Sequence, residues 1–246
     1  MIQIKICGIT NEKEIEYLNI LKPEYVGFVF TKSKRQINGV KANELCLNLN
    51  NDIKKVGVFK DNSVDEILDV LGKVDLDAIQ LHGKEDEDFI NSLKISMNKS
   101  IKIWKALSIK DIESVKKYIG SNKQLAYSEN DGDNLIDNFL IDGENPGSGE
   151  VFSLESISEY FGEDYNSGHE DNSISIQYNF FLAGGITAEN VMERLNKANS
   201  FGVDVSSGVE IIDENGNRMK SFDKMKSLID KVRNSIENWI RKVGKE

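Results

Sequence analysis

The sequence predicts a single-domain (β/α)8 barrel, an α/β fold, on three observations. Short runs rich in Val, Ile, Phe and Tyr alternate with helical patterns along the 246 residues, as in parallel βαβ units. Eight such runs can be counted, which is the number of strands in a closed barrel. No Gly-x-Gly-x-x-Gly turn follows the first run, so a dinucleotide-binding sheet is disfavoured.

Each predicted strand is short, and several are apolar almost throughout, as expected for strands buried on both faces. In chain order the predicted strands are 2–6, 25–30, 55–59, 78–81, 101–105, 138–141, 178–183 and 203–206. The helical patterns between and after them cover 11–21, 40–49, 64–71, 85–97, 110–119, 188–196 and 223–243. Several helices follow a typical N-cap residue, namely Thr10 or Asn11, Ser63, Ser108 and Thr187.

Two stretches, approximately 121–137 and 162–177, interrupt this alternation. They are rich in Asn, Asp, Ser and Gly and lack apolar periodicity, so we interpret them as polar loop insertions, with partner binding as the alternative. Both precede a strand. We therefore expect both at the end of the barrel away from the chemistry.

The composition limits the possible partners and compartments. The formal charge is −10, from 31 basic and 41 acidic residues, which disfavours nucleic-acid binding and means that an anionic ligand needs a local site. Two cysteines, Cys7 and Cys46, are too few for a disulfide framework and indicate a reducing compartment. The sequence opens without a leader pattern and contains no apolar run of membrane-spanning length, so we expect a cytoplasmic protein.

Candidate site residues come directly after strands, because the active sites of such barrels lie at the carboxyl ends of the strands. Gly184 and Gly185 follow the seventh strand, and Ser206, Ser207 and Gly208 follow the eighth. Glycine allows close backbone approach, helix starts bind anions, and these two loops frequently hold phosphate. Packing and turn roles remain the alternative for each glycine taken alone. Together they predict a small phosphorylated ligand.

Cys7 ends the first strand and Asp142 the sixth, so a thiol and a carboxyl could face each other across the barrel mouth. A base and an acid in this arrangement suit an aldose–ketose rearrangement. An ordinary thiol has a pKa of about 8.5 and needs help to ionise, which Lys5 could supply. A small buried hydrophobe at position 7 and a capping Asp at 142 are the alternatives, and position alone does not decide between these readings.

Two further polar residues follow strands. Arg35 carries a planar fork that suits a carboxylate, although a solvated basic loop is an equal alternative. His82 stands alone, so we interpret it as structural or as supporting a neighbouring residue. No His/Cys/Asp cluster has metal-ligand spacing, and the sequence predicts no metal site.

Taken together, the loop motifs resemble the phosphoribosylanthranilate isomerase family. The matching stretches, which run in the family's order along nearly the whole chain, are 5–10 (KICGIT), 27–30 (GFVF), 33–37 (SKRQI), 56–59 (VGVF), 80–83 (QLHG), 147–149 (GSG) with Phe152, 182–186 (LAGGI) with 189–191 (ENV), and 204–210 (DVSSGVE). The first and last motifs are highly specific.

The resemblance implies an Amadori rearrangement in tryptophan biosynthesis. N-(5-phosphoribosyl)anthranilate would become 1-(2-carboxyphenylamino)-1-deoxyribulose 5-phosphate without a metal or an organic cofactor. By the same resemblance, Cys7 is the general base, Asp142 the general acid and Arg35 the ligand of the anthranilate carboxylate. Asp204 is a contact near the ribose. The phosphate binders are Gly184, Gly185, Ser206, Ser207 and Gly208.

Glu150 departs from the family pattern, because a Lys often stands there, and this puts that loop's contribution to binding in doubt. An indole-glycerol-phosphate synthase would need catalytic Lys and Glu at strand ends, and Glu is missing from the strand ends where it would be needed. An epimerase would need His/Asp metal ligands, which two scattered His residues cannot supply. An isomerase of aminoimidazole ribotide is disfavoured by Cys7. A barrel that only binds a phosphorylated metabolite would need neither Cys7 nor Asp142. We expect a monomer or a homodimer.

Overall fold

The computed structural model describes residues 2–97, 99–108, 135–143, 180–198, 200–214 and 216–243. Eight parallel strands close into a barrel, in which each strand pairs with the next along the chain and the last pairs with the first. In order, these are β1 (Gln3–Cys7), β2 (Tyr25–Val29), β3 (Lys54–Phe59), β4 (Ala78–Leu81), β5 (Lys102–Ser108), β6 (Asn138–Asp142), β7 (Phe180–Leu182) and β8 (Gly202–Val205). The predicted fold class is confirmed.

Helices pack around the barrel between and after the strands. They are α1 (Glu12–Leu21), α2 (Gly39–Cys46), α3 (Val64–Leu71), α4 (Glu87–Ser96), α5 (Val191–Ala198) and α6 (Phe222–Val243). Within the described ranges, no helix combines the length and the apolar character needed to cross a bilayer. Asn11 caps α1 and Ser63 caps α3 through side-chain bonds to backbone N–H groups, as predicted.

The structure corrects three details of the sequence interpretation. β5 continues to Ser108, so Ala106 and Leu107 belong to a strand rather than to the loop after it. Leu135 and Ile136 are buried, so the end of the first predicted insertion belongs to the core. An unpredicted hairpin, β9 (Glu210–Ile212) with β10 (Arg218–Lys220), follows β8. The rest of both insertions and the predicted helix 110–119 lie outside the described residues.

Side chains alternate between the two faces of the barrel wall. Most buried apolar residues pack between the strands and the helices, for example Ile4, Ile6 and Phe28. A smaller cluster with Trp104 and Phe181, whose rings stack with centroids 4.7 Å apart, belongs to the opposite face of the strands. Residues on this interior face near the strand ends therefore point toward the barrel mouth.

Candidate active site

All nine residues selected from the sequence as site residues line one cavity at the carboxyl ends of the strands. They are Cys7, Arg35, Asp142, Gly184, Gly185, Asp204, Ser206, Ser207 and Gly208. They come from the first, second, sixth, seventh and eighth strands and the loops after them. The closed barrel explains this convergence, because parallel strands end at the same edge.

Cys7 lies on the interior face of β1, and its sulfur occupies space that Gly27 on β2 leaves open. A Cβ added at Gly27 would lie 2.6 Å from Cys7 Sγ. Burial raises the pKa of the Cys7 thiol, and the positive charges of Lys5 and Lys220 only partly oppose this. Lys5 thus acts in the direction that the sequence suggested, but burial outweighs it.

Lys5 is buried beneath Cys7 and is paired with Asp204. Lys5 Nζ lies 2.9 Å from Asp204 Oδ1, across neighbouring strands in which the two residues are register partners. Burial tends to lower the pKa of Lys5, but the charges of Asp204 and the Cys7 sulfur overcome this and raise it. Asp204 therefore reaches the cavity with one oxygen already bonded to a lysine.

Asp142 ends β6 and is almost fully buried. Its Oδ1 accepts a hydrogen bond from the Gly143 backbone N–H at 2.7 Å, and its Oδ2 lies 3.7 Å from His82 Nε2. Burial first, and then Lys5, Lys60 and Lys105, lower the pKa of His82 to about 4. The neutral imidazole is held by Gln80, whose Nε2 is 3.1 Å from His82 Nδ1. His82 is thus a wall of the cavity beside Asp142.

The Arg35 side chain crosses the end of β1 over Gly8. Gly8 has a φ of +83°, and a Cβ there would lie 2.3 Å from Arg35 Cδ, so only glycine fits. The guanidinium bonds Glu210 with two atoms, Nε to Oε1 at 2.6 Å and Nη2 to Oε2 at 2.8 Å. These bonds raise the pKa of Arg35. The Nη1–Nη2 edge remains for a ligand.

Glu210 is the last residue of the motif 204–210 (DVSSGVE), and neither its residue type nor its position in the sequence marks it as a site residue. It also accepts from Arg218 Nη1 at 2.9 Å and from Lys220 Nζ at 2.8 Å. Although burial favours the neutral acid, the bonds from Arg35 and the charge of Lys220 lower the pKa of Glu210 to about 2. Three cations therefore surround one carboxylate at the edge of the cavity.

The two predicted phosphate loops pack against each other. Gly184 and Gly185 have φ values of +79° and +61°, which residues with a side chain rarely adopt. A Cβ on Gly208 would lie 1.8 Å from the backbone oxygen of Ile186, so the eighth loop rests directly on the seventh. Ser206 Oγ donates to the Cys7 backbone oxygen at 2.9 Å. This last contact joins the eighth loop to the end of β1.

The cavity supplies the local positive charge that an acidic protein needs for an anionic ligand. Lys32 and Lys60 line it beside Arg35, and Lys220 donates to the Ser206 backbone oxygen at 3.1 Å. Burial lowers the pKa of Lys220. Sequence reasoning missed Lys220, since it lies on the unpredicted hairpin. Within the described ranges, no three His, Cys, Asp or Glu side chains are grouped as metal ligands.

Comparison with known sequences gives a consistent family. The family model described as N-(5'phosphoribosyl)anthranilate (PRA) isomerase matches residues 4–231. The N-(5'-phosphoribosyl)anthranilate isomerase of Clostridium beijerinckii is 58% identical over 233 residues, covering 95% of this chain and 98% of the relative. The enzyme of the same name from Thermoanaerobacter sp. (strain X514) is 38% identical over 233 residues, with 95% and 98% coverage.

Solved structures give the same picture. The phosphoribosyl anthranilate isomerase of Thermotoga maritima superposes with a TM-score of 0.73 at 28% identity, covering 95% of this chain and 100% of its own. A phosphoribosyl anthranilate isomerase in complex with reduced 1-(o-carboxyphenylamino)-1-deoxyribulose 5-phosphate gives 0.71 at 27% identity, with the same coverage. Both similarities extend over nearly the full length of each chain.

Proposed function

This chain belongs to the N-(5'-phosphoribosyl)anthranilate isomerase family, and we propose that it isomerises N-(5'-phosphoribosyl)anthranilate, the compound for which its relatives are named, in tryptophan biosynthesis. The observation that carries the proposal is the shared cavity of Cys7 and Asp142. A thiol and a carboxyl line it together with Arg35 and two glycine-containing loops. A barrel that only bound a phosphorylated metabolite would need neither the thiol nor the carboxyl.

Asp142 opens the sugar ring as general acid. Its carboxyl donates a proton to the ring oxygen of the ribose, the bond from that oxygen to C1 breaks, and the nitrogen lone pair forms the C1=N bond of a protonated Schiff base. The position of Asp142 supports this role, since its carboxyl is nearly completely buried in the wall of the cavity, where water is excluded from the proton transfer. The neutral His82 beside it adds no positive charge that would favour the ionised acid.

Cys7 completes the rearrangement as general base. Its thiolate removes the proton from C2, the electron pair forms the C1=C2 bond, and the iminium nitrogen becomes a neutral amine. The resulting enolamine is also an enol, and its tautomerisation leaves a ketone at C2 and two hydrogens at C1. Lys5 and Lys220 favour the thiolate, although burial opposes it.

The two anionic ends of the substrate fix its orientation. The anthranilate carboxylate binds the Nη1–Nη2 edge of Arg35, which is the edge that Glu210 leaves open. The phosphate binds the backbone of Gly184, Gly185, Ser206, Ser207 and Gly208, where glycine allows close approach. Asp204 contacts the ribose with the oxygen that is not bonded to Lys5.

The enzyme forms a single barrel domain, works in the cytoplasm and acts as a monomer or a homodimer. Mixing the purified chain with N-(5'-phosphoribosyl)anthranilate tests the activity, with loss of substrate fluorescence and chromatographic separation of the ketose as readouts, because the two isomers have the same mass. A Cys7→Ser/Asp142→Asn double variant serves as the control for spontaneous conversion. Formation of the ketose at the rate of that control would refute the proposal.

A further inference from the structure

The ion cluster around Glu210 holds the side chain of Arg35, which we assign as the ligand of the substrate carboxylate. Glu210 directly follows the 3-10 turn of Ser207–Val209, so the loop that carries the phosphate site also places this carboxylate. Its two oxygens accept four bonds, two from Arg35 and one each from Arg218 and Lys220. Four is about the full acceptor capacity of a carboxylate.

The bonds to Arg35 fix the direction of the guanidinium. A paired contact through Nε and Nη2 fixes the plane and the rotation of the guanidinium, whereas a single bond would leave it free to turn. Arg35 comes from the loop after β2 and Glu210 from the hairpin after β8, so no local backbone geometry provides this constraint. The exposed fraction of the Glu210 side chain is 3% and that of Arg35 is 16%, so the pair is held at the inner edge of the cavity.

Lys220 connects the same carboxylate to the eighth loop. It donates to Glu210 Oε1 at 2.8 Å, to the Ser206 backbone oxygen at 3.1 Å and to Ser206 Oγ at 3.2 Å. The position of Glu210 is therefore fixed from the phosphate side of the cavity. Buried ion pairs contribute little net stability compared with apolar packing, so stability alone is a weak explanation for this arrangement.

We propose that Glu210 is a positioning residue for the isomerisation: it orients Arg35 so that the Nη1–Nη2 edge meets the carboxylate of the substrate. This inference rests on the proposed function, because it presumes a substrate with that carboxylate. Glu210 does not touch the substrate and acts only through Arg35. Its loss therefore weakens substrate binding and leaves the proton transfers at Cys7 and Asp142 intact.

Steady-state kinetics of Glu210→Gln, Arg35→Ala and the double variant test the proposal. The amide cannot accept from both nitrogens of Arg35, so Glu210→Gln should raise KM about tenfold with kcat changed by less than about twofold. In the double variant KM should lie within about twofold of that of Arg35→Ala, because two residues that act through one contact are not additive. The proposal would be overturned if the effects of the two substitutions on KM multiplied in the double variant. An unchanged KM in Glu210→Gln, or a decrease confined to kcat, would also overturn it.

Two further measurements separate positioning from a general structural role. With the substrate analogue that carries aniline in place of anthranilate, the wild type and Glu210→Gln should have the same KM, because the carboxylate is missing. A fold defect in Glu210→Gln would raise its KM for the aniline analogue as well as for the substrate. Glu12→Gln is the matched control, since it removes the same charge from an exposed ion pair with Lys41 outside the cavity.

Glu210→Asp covers the case in which Glu210→Gln does not fold. It keeps the charge beside Lys220 but is one methylene too short for both bonds to Arg35, so KM should again rise. A Glu210→Asp variant with the same KM as the wild type would overturn the proposal. A failure of both Glu210→Gln and Glu210→Asp to fold would also overturn it. If the wild type itself does not convert the substrate, the proposed function fails, which is a separate result.

Discussion

His82 Nε2 lies 3.7 Å from Asp142 Oδ2, and this contact brings a neutral imidazole against the carboxyl that we assign as the acid. Gln80 Nε2 lies 3.1 Å from His82 Nδ1, so one ring nitrogen contacts Gln80 and the other faces Asp142. The residue interpreted from the sequence as structural or supporting is thus in a position to orient Asp142.

Asp142→Asn should lower kcat by roughly 10²-fold or more, the scale of general acid catalysis, because an amide cannot supply the proton for ring opening. The substitution keeps the size of the side chain, so the fold should survive. Turnover under saturating substrate and the circular dichroism spectrum check both points. Asp230→Asn is the control, because it changes an exposed pair with Lys226. Turnover like that of the wild type would remove Asp142 from the mechanism.

Cys7→Ser should also lower kcat by roughly 10²-fold or more, because a hydroxyl is a far poorer base at neutral pH. Cys46→Ser provides the matched control. Cys46 is half-buried on α2 and does not line the cavity, so its loss should leave turnover unchanged. An active Cys7→Ser variant would show that another group takes the proton from C2.

The alkylation rate of Cys7 should rise with pH and reach half of its maximum above the ordinary thiol pKa of about 8.5, because burial raises the pKa of this thiol. The measurement uses iodoacetamide on the Cys46→Ser variant, in which Cys7 is the only thiol left. Loss of isomerase activity should follow the same pH curve. A midpoint below pH 8 would mean that Lys5 and Lys220 outweigh burial.

The positions of the strand ends could be predicted because the apolar pattern that marks a buried strand is local and recurs along the chain. Apolar runs such as 25–30 mark buried strands, and parallel strands that close into a barrel bring Cys7 and Asp142 to one edge. The partners of the charged groups could not be predicted in this way. Arg35 and Glu210 are 175 residues apart in sequence, and Lys5 and Asp204 are 199 apart. Such pairings depend on side-chain direction in the closed barrel.

The β9–β10 hairpin shows a second limit. Its strands have three residues each and carry Glu210, Arg218 and Lys220, so neither length nor apolar alternation marks them. They form because they pair with each other beside the eighth loop. Glu210, Arg218 and Lys220, which shape the edge of the site, therefore lie on an element that the sequence pattern does not reveal.

His82 should make the stability of the protein depend on pH between about 6.5 and 4. Its pKa in the folded protein is about 4, so the unfolded chain binds the proton first as pH falls, and stability present above pH 6.5 is lost toward pH 4. Between pH 7 and 4.5 the free energy of unfolding should fall by about 2 kcal/mol more in the wild type than in His82→Asn. Urea denaturation at the two pH values measures this, and equal losses in both proteins would contradict it.

Gly208→Ala should damage both phosphate loops at once. The added Cβ would lie 1.8 Å from the Ile186 backbone oxygen and 3.2 Å from Thr187 Cγ2, so the eighth loop must move away from the seventh. We expect the free energy of unfolding to fall by about 2 kcal/mol or more, as for overpacking against a fixed backbone, and inhibition by inorganic phosphate to weaken. Gly72→Ala, at the end of α3, is the control, because its nearest contact would be an ordinary 3.5 Å. Urea denaturation and phosphate inhibition that match the Gly72→Ala control would mean that the two loops do not act as one phosphate site.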